Sequence, residues 1–308
     1  MKILAGDIGG THSRFVLTDG EERVERSYRN AEFPDLYQVV DQFLHDSEAH
    51  KATIRRMVLG LPAPVDRGIV NLTNIDWQVE ASQLQGRFAV RDVLLVNDFQ
   101  AAAVGALSSR PARQLNPGAQ VVASGPAVVT GAGTGLGHAW ISDVSHPSMP
   151  WATEGGHVDF APQDAQQCEL HAWLADRFNG HVSVERVLSG PGLEAIFEFL
   201  AGFSLQAAEV SRRAAQKETS AVESVSLFMR LFGAHVGNLA LLFNPVAGIH
   251  LCGGVVGHLA EWFGDGFLSA FTDKGRMRAR VQPIPLFLHD RQDLGLQGAL
   301  QIALRELT

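Results

Sequence analysis

Two segments of the chain, about 125 residues apart, follow one plan. Leu4-Ala5-Gly6-Asp7-Ile8-Gly9-Gly10-Thr11 and Val128-Val129-Thr130-Gly131-Ala132-Gly133-Thr134-Gly135 each read as an apolar strand entering a glycine-rich turn that holds a threonine. A second strand follows each turn, Ser13–Thr18 in the first case and His138–Ser142 in the second. A hairpin that recurs at this distance predicts a duplicated α/β core. The length of 308 residues agrees, since it is about two domains' worth. A third glycine turn, Gly253-Gly254, follows the strand-like run Ile249–Cys252.

Periodicity fills in the rest. Asp19-Gly20 is a hairpin signal leading to a third strand at Arg23–Arg29. Leu36, Val39, Val40, Phe43 and Leu44 recur at helical spacing, with Pro34 expected in the first turn. Strands are expected at Met57–Gly60, Val93–Val96 and Leu286–His289, and helices over Gln100–Leu107, 164–178, 191–200, 221–243 and 294–306. Residues 114–142 and 231–260 hold no charged side chain, but both are broken by glycine and proline. A spanning helix needs about 20 predominantly apolar residues. Interior elements joined by tight turns are therefore expected, with no membrane partner.

The net charge of −8 argues against a nucleic-acid partner, whose binding rests on lysine and arginine neutralising phosphates. A single nucleotide is another matter, because backbone amides can hold its phosphates locally. Cys168 and Cys252 are the only cysteines, too few for a disulfide framework or a cysteine-rich zinc site. Two reduced thiols and no signal peptide point to the cytoplasm.

Glycine turns after strands let backbone N–H groups approach an anion without an intervening side chain. Three in matching positions favour a phosphate cradle over simple strand turns. The spelling fits neither GxxxxGK[ST] nor GxGxxG, and no HRD, DFG or GxSxG sequence occurs. Asp7, just before the first turn, could organise a nucleotide's Mg²⁺ or simply form the turn. Asn97-Asp98 ends the Val93–Val96 strand at the edge where open α/β sheets place ligands. Asp98 is there either a base or a helix N-cap. Glu154-Gly155-Gly156-His157, with Glu185 further on, suits a loop folded around hydroxyl groups, each of which donates and accepts.

These pieces occur in a familiar order. Gly6–Thr11, Asn97-Asp98-Phe99, Gly131–Gly137, Glu154–Phe160, His181–Gly192, Gly253–Val256 and His289-Asp290 together resemble the bacterial glucokinases of the hexokinase type, within the actin/Hsp70/sugar-kinase superfamily. The cysteine-rich zinc motif of the related repressor/kinase branch is missing. The resemblance implies a two-domain actin-like ATPase (ribonuclease H-like) α/β fold with an interdomain cleft. Residues 1–107 and 290–308 would form the small domain and 108–289 the large one. It further implies ATP, Mg²⁺ and glucose as ligands, with Asp98 as general base for the 6-hydroxyl.

By the same resemblance Asn97, Glu154, His157 and Glu185 are the other sugar ligands. Gly6, Gly9, Gly10 and Thr11 match the first phosphate loop, Gly133, Thr134 and Gly135 the second, and Gly253-Gly254 the adenosine-side turn. Asp7 matches the magnesium-organising carboxylate, and a homodimer is implied. Two departures stand out: His12 replaces the family's usual Asn, and the final motif reads His289-Asp290-Arg291-Gln292-Asp293-Leu294-Gly295 where HDNPGLLG is usual. Asn71–Trp77 resembles the loop beside the sugar. Rival readings are a kinase for another hexose, a non-catalytic sugar-binding regulator of the same fold, and an Hsp70- or actin-like ATPase.

Overall fold

A computed structural model describes residues 2–49, 53–72, 75–111, 113–146 and 148–305. Thr73 and Asn74, in the segment compared with the family's sugar-side loop, lie outside the described residues. The chain forms two compact units: Met1–Ser109 with Asp293–Thr308, and Arg110–Gln292.

The first unit is built on a five-stranded sheet. Strands β1 (Lys2–Ile8), β2 (His12–Thr18) and β3 (Arg23–Arg29) form an antiparallel meander. After helix α1 (Leu36–Asp46), strand β4 (Ile54–Leu61) pairs parallel with β1. A small ribbon, β5 (Ile69–Asn71) and β6 (Gln78–Glu80), and helix α2 (Ala81–Phe88) lead to β7 (Asp92–Asn97), parallel to β4. The order is β3-β2-β1-β4-β7. Helix α1 buries the five apolar residues that set its period, and Asp35 caps it by accepting from Gln38 N at 2.8 Å. Pro34 precedes that cap and lies outside the first turn, because the acidic side chain satisfies the helix's free N–H groups better than proline can.

Helix α3 (Asp98–Ser108) follows β7 directly. It packs against the C-terminal helix of the chain, Leu294–Leu304, along glycines: a Cβ at Gly298 would stand 1.7 Å from the Ala101 carbonyl oxygen. Beyond that helix, Arg305 is tied to the sheet through its carbonyl oxygen, which accepts from buried Arg56 at 2.6 Å. Arg56 also pairs with Asp92 at 2.9 Å.

The second unit repeats the topology. Edge strand β8 (Arg113–Gln114) precedes the meander β9 (Ala127–Ala132), β10 (Leu136–Ile141) and β11 (Trp151–Thr153). Helices α4 (Ala165–Arg177), α5 (Gly190–Ala201), α6 (Ala207–Ala215) and α7 (Thr219–Phe243) follow. Strand β12 (Gly248–Cys252) then returns parallel to β9. Helices α8 (Gly254–His258), α9 (Asp265–Thr272) and α10 (Arg278–Val281) lead to β13 (Leu286–Leu288), parallel to β12. The order β11-β10-β9-β12-β13 matches that of the first sheet, with β8 added at the edge. The duplication expected from the two hairpins is thus present as two sheets of equal design. The C-terminal helix of the first unit is α11 (Leu294–Leu304).

Helix α7 is the one described helix long and apolar enough to cross a membrane, and most of it is buried inside the unit. It is the spine of the second core, where Phe228, Phe232, Phe267 and Phe271 are fully buried. Gly233 and Gly237 let α9 approach: a Cβ would lie 2.3 Å from Phe267 O and 2.4 Å from Phe271 O.

Candidate active site

In the first unit the β1–β2 turn is held from outside by Asn30. Its Nδ2 donates to Gly9 O at 2.8 Å, its Oδ1 accepts from Ser13 at 2.7 Å, and its N–H donates to Thr11 O at 2.9 Å. Gly9 N closes the turn onto His12 O at 2.9 Å. Sequence reasoning missed Asn30, which no local motif marks; its burial among charged neighbours appears only in the fold. Thr11 and His12 are exposed, and the His12 ring lies 3.1 Å from the Thr11 hydroxyl. Gly6 lies within β1 rather than in the turn. A Cβ there would stand 2.7 Å from Leu59, so what the fold demands of it is space.

Asp7 sits beside the start of α11. A Cβ at Gly295 would lie 2.7 Å from its Oδ1, so glycine at 295 is the cradle that leaves room for the carboxylate. Burial pushes the Asp7 pKa up, and Arg14 on the paired strand only partly counters it. Gly295 is a second residue missed as functional. The sequence showed it as the end of an altered motif, without showing what it faced.

Asn97, not Asp98, is the N-cap of α3. Its Oδ1 accepts from Phe99 N at 2.9 Å, and Gln100 returns to Asn97 N at 3.1 Å, a complete capping box. Asp98 is the first residue of the helix, and its Oδ1 shares the Phe99 amide at 2.8 Å. The N-cap reading of Asp98 is thereby corrected: the residue before it has a backbone already extended and an oxygen in place.

In the second unit the β9–β10 turn narrows to Gly133-Thr134-Gly135, since the strands run to Ala132 and from Leu136. Gly133 N donates to Gly135 O at 2.8 Å, and Gly190 N, at the start of α5, donates to Gly133 O at 2.7 Å. Glu185 reaches this turn: its Oε2 accepts from Leu136 N at 2.9 Å and would be 2.6 Å from a Cβ at Gly135. Thr134 is exposed at the tip. Above Gly133 a Cβ would meet nothing closer than Gly254 N at 4.0 Å, which leaves open space between the two glycine turns. Of these glycines Gly253 has the left-handed φ of 102°; Gly131 is needed for close approach, since a Cβ there would lie 2.3 Å from Cys252 O.

Glu154, Gly155, Gly156 and His157 form a single tight turn after β11. Gly156 is buried under the Leu136 carbonyl, 2.2 Å from where a Cβ would be, which presses this turn onto the start of β10. Glu154 and His157 project from it as exposed neighbours, Oε2 to Nε2 3.7 Å. The second unit thus gathers Glu154, His157, Glu185 and the second and third glycine turns. The first gathers Asp7, Asn97, Asp98 and the first turn. Among the described residues no group of three or more His, Cys, Asp or Glu side chains could hold a metal ion on its own. A cation here would need ligands from a phosphate or water beside Asp7.

Two matched α/β sheets, each with a glycine-turn hairpin, are the architecture of the actin-like ATPase fold, and the solved structures that superimpose on the chain are sugar kinases of that fold. A crystal structure of glucokinase from an Antarctic psychrotroph superimposes with a TM-score of 0.82 at 26% identity, covering 98% of both chains. Glucokinase from Klebsiella pneumoniae (strain 342) is 36% identical, over 96% of this chain and 95% of the relative. Glucokinase from Tolumonas auensis is 34% identical, over 97% and 95%. The family profile described as Glucokinase matches residues 4–306, and the chain belongs to that family. Its reaction class is therefore that of an ATP-dependent hexose kinase, a phosphotransferase.

Proposed function

We propose that the protein transfers the γ-phosphoryl group of ATP to the 6-hydroxyl of D-glucose. Asn97, Glu154, His157 and Glu185 bind the sugar hydroxyls, and Asp98 takes the proton of the attacking oxygen. The observation that carries this reading is Asp98 standing first in α3 while Asn97 supplies the cap. With Asn97 closing the helix, a carboxylate in the first turn after β7 is placed as a general base requires, in keeping with the family resemblance. The Asn97 amide nitrogen, only 3.5 Å from Ala63 O, has donor capacity for a hydroxyl.

Phosphoryl transfer asks a protein chiefly for positioning and charge stabilisation. The amides of Gly9, Gly10 and Thr11, those of Gly133, Thr134 and Gly135, and the Gly253-Gly254 turn supply it for the nucleotide. Gly6 serves by seating the strand that carries Asp7. Asp7 fits a magnesium site: its carboxylate is cradled by Gly295 and raised in pKa by burial, a cost that a cation would offset. When bound, Mg²⁺ neutralises developing phosphate charge. The resemblance also favours a cytoplasmic homodimer; light scattering of the purified chain reads its oligomeric state.

The test is a panel of hexoses with Mg-ATP, scoring ADP above the no-sugar blank. A site lined with hydrogen-bonding groups rejects a sugar whose hydroxyls leave them unpaired. Glucose should give the highest kcat/KM. A higher value for mannose or fructose would overturn the glucose assignment while leaving a hexose kinase.

A further inference from the structure

The second unit encloses a cavity of about 190 Å³, between α7 and the segment after β11. For scale, a dry cavity of about 150 Å³ is enough to bind benzene. Val184, Val187 and Leu231 form buried walls, and Val158 and Leu242, both exposed, mark the rim. Two imidazoles on the floor belong to no part of the proposed chemistry. Thr130 Oγ1 lies 2.7 Å from His138 Nδ1, and His138 Nε2 lies 3.1 Å from His235 Nε2. Both rings are more than nine-tenths buried.

The histidine pair leaves one polar atom over. Among the described residues Nδ1 of His235 has no hydrogen-bond partner, and His235 lines the cavity. If His235 donates from Nε2 to His138, its Nδ1 is an acceptor; if His138 donates, Nδ1 of His235 carries the proton and is a donor. A hydroxyl group satisfies both arrangements. No described lysine or arginine lines the cavity, and its carboxylate, Asp159, stands exposed and paired with His181. Burial holds the His138 and His235 pKa values down to about 4 and about 3, so neither ring offers charge at neutral pH. Lys274 stands behind the wall with its Nζ donating to Ala234 O at 2.7 Å and to Asn238 Oδ1 at 2.8 Å, so its charge is already engaged and an ionised ligand would lose its hydration with little compensation.

We propose that this cavity binds an uncharged, ring-sized molecule bearing a hydroxyl group, which bonds to Nδ1 of His235. The site is coupled to the Glu154–His157 turn, because a Cβ at Gly155 would lie 2.7 Å from the His138 ring. The turn's backbone thus rests on the imidazole that shares its hydrogen bond with His235. Only this coupling depends on Glu154 and His157 being sugar ligands; the binding itself does not.

The test uses the full chain with phenol, benzene and benzoate as probes, followed by calorimetry and by the ¹⁵N shifts of the histidine rings. Phenol should saturate and shift the His235 nitrogens, benzene should bind at least about tenfold more weakly, and benzoate should not bind. His235→Phe, which keeps a ring but removes the nitrogen, should abolish the preference for phenol. Ala234→Phe, which fills the cavity from α7, should abolish binding of both rings while hexose phosphorylation persists. Either folded variant suffices, folding being checked by circular dichroism. Failure of phenol to saturate, or a phenol preference unchanged in His235→Phe, would overturn the site. So would binding that survives Ala234→Phe. Saturating phenol should change KM for glucose by at least about fivefold, with kcat held. An unchanged KM overturns the coupling alone, and a chain that phosphorylates no hexose leaves the binding result standing.

Discussion

Asp98 and Asp7 are both carboxylates beside the end of a strand, yet their surroundings differ. Asp98 has its helix cap supplied by a neighbour, whereas Asp7 is pressed against a glycine and raised in pKa. Asp98→Ala should lower kcat by about 10²–10⁴-fold, the scale of a positioned base. Binding of a fluorescent ATP analogue should persist, since the glycine turns lie elsewhere. A variant that retained turnover within tenfold of the parent would reduce Asp98 to a helix residue. Gly295→Ala places a methyl group 2.7 Å from Asp7 Oδ1. It should raise the Mg²⁺ concentration needed for half-maximal rate several-fold, read from a magnesium titration at fixed ATP; an unchanged titration would detach Asp7 from the metal. At this scale the sequence is legible as placement where a strand end or a glycine pair marks it, as for Asp98 directly after β7 and for Glu154 and His157 on one tight turn. Asn30 and Gly295 are invisible because each acts on a partner that only the fold brings near, Asn30 on Gly9 and Gly295 on Asp7.

Elements were legible to the extent that burial gave them a period. Helix α1 and the buried strands show it, and α3, α7 and α11 are legible as apolar runs buried on most sides, whereas α6, one-sided but with few apolar residues, went unread. Its buried side is only Val210 and Ala214, and its support comes from Glu209 paired with Arg212 at 2.6 Å and Arg213 at 2.7 Å. Such a helix rests on propensity and i,i+4 pairs, which leave little hydrophobic signal. The α3–α11 contact is a different case, because glycine there is set by a neighbour's backbone. Gly298→Ala would place its Cβ 1.7 Å from Ala101 O, and Gly105→Ala would place its own 2.1 Å from Leu294 O. A carbonyl oxygen cannot move aside as a side chain can, so one helix must shift. Overpacking typically costs about 1–3 kcal/mol, and contact with a rigid backbone belongs at the upper end. Each variant should melt several degrees lower by differential scanning calorimetry. A melting temperature within a degree of the parent would show that the helices part freely.

Across the whole molecule the duplicated design carries an asymmetry that neither hairpin reveals. The second unit buries His138, His235, His250 and His289, with His250 Nδ1 2.9 Å from His289 Nε2. Desolvation depresses their pKa values to about 4, 3, 3 and 4. A depressed folded pKa means that the unfolded chain takes up protons first. The stability of this unit is therefore fully present above the ordinary histidine pKa of about 6.5 and is lost as pH falls toward 4, by up to about 1.4 kcal/mol per pH unit for each ring. Asp7, in the first unit, has the opposite sign. Its raised pKa gives a contribution that is present at low pH and lost as pH rises through the folded value. Acidification from pH 7 to 5 should therefore loosen the second unit first. Hydrogen exchange corrected for intrinsic rate should show β9 and β12 losing protection at a higher pH than β1 and β4. His138→Gln keeps a hydrogen-bonding side chain that cannot be protonated, and it should move part of that loss to lower pH. Equal loss in both units, or earlier loss in β1 and β4, would mean that the buried imidazoles do not set the acid limit of the fold.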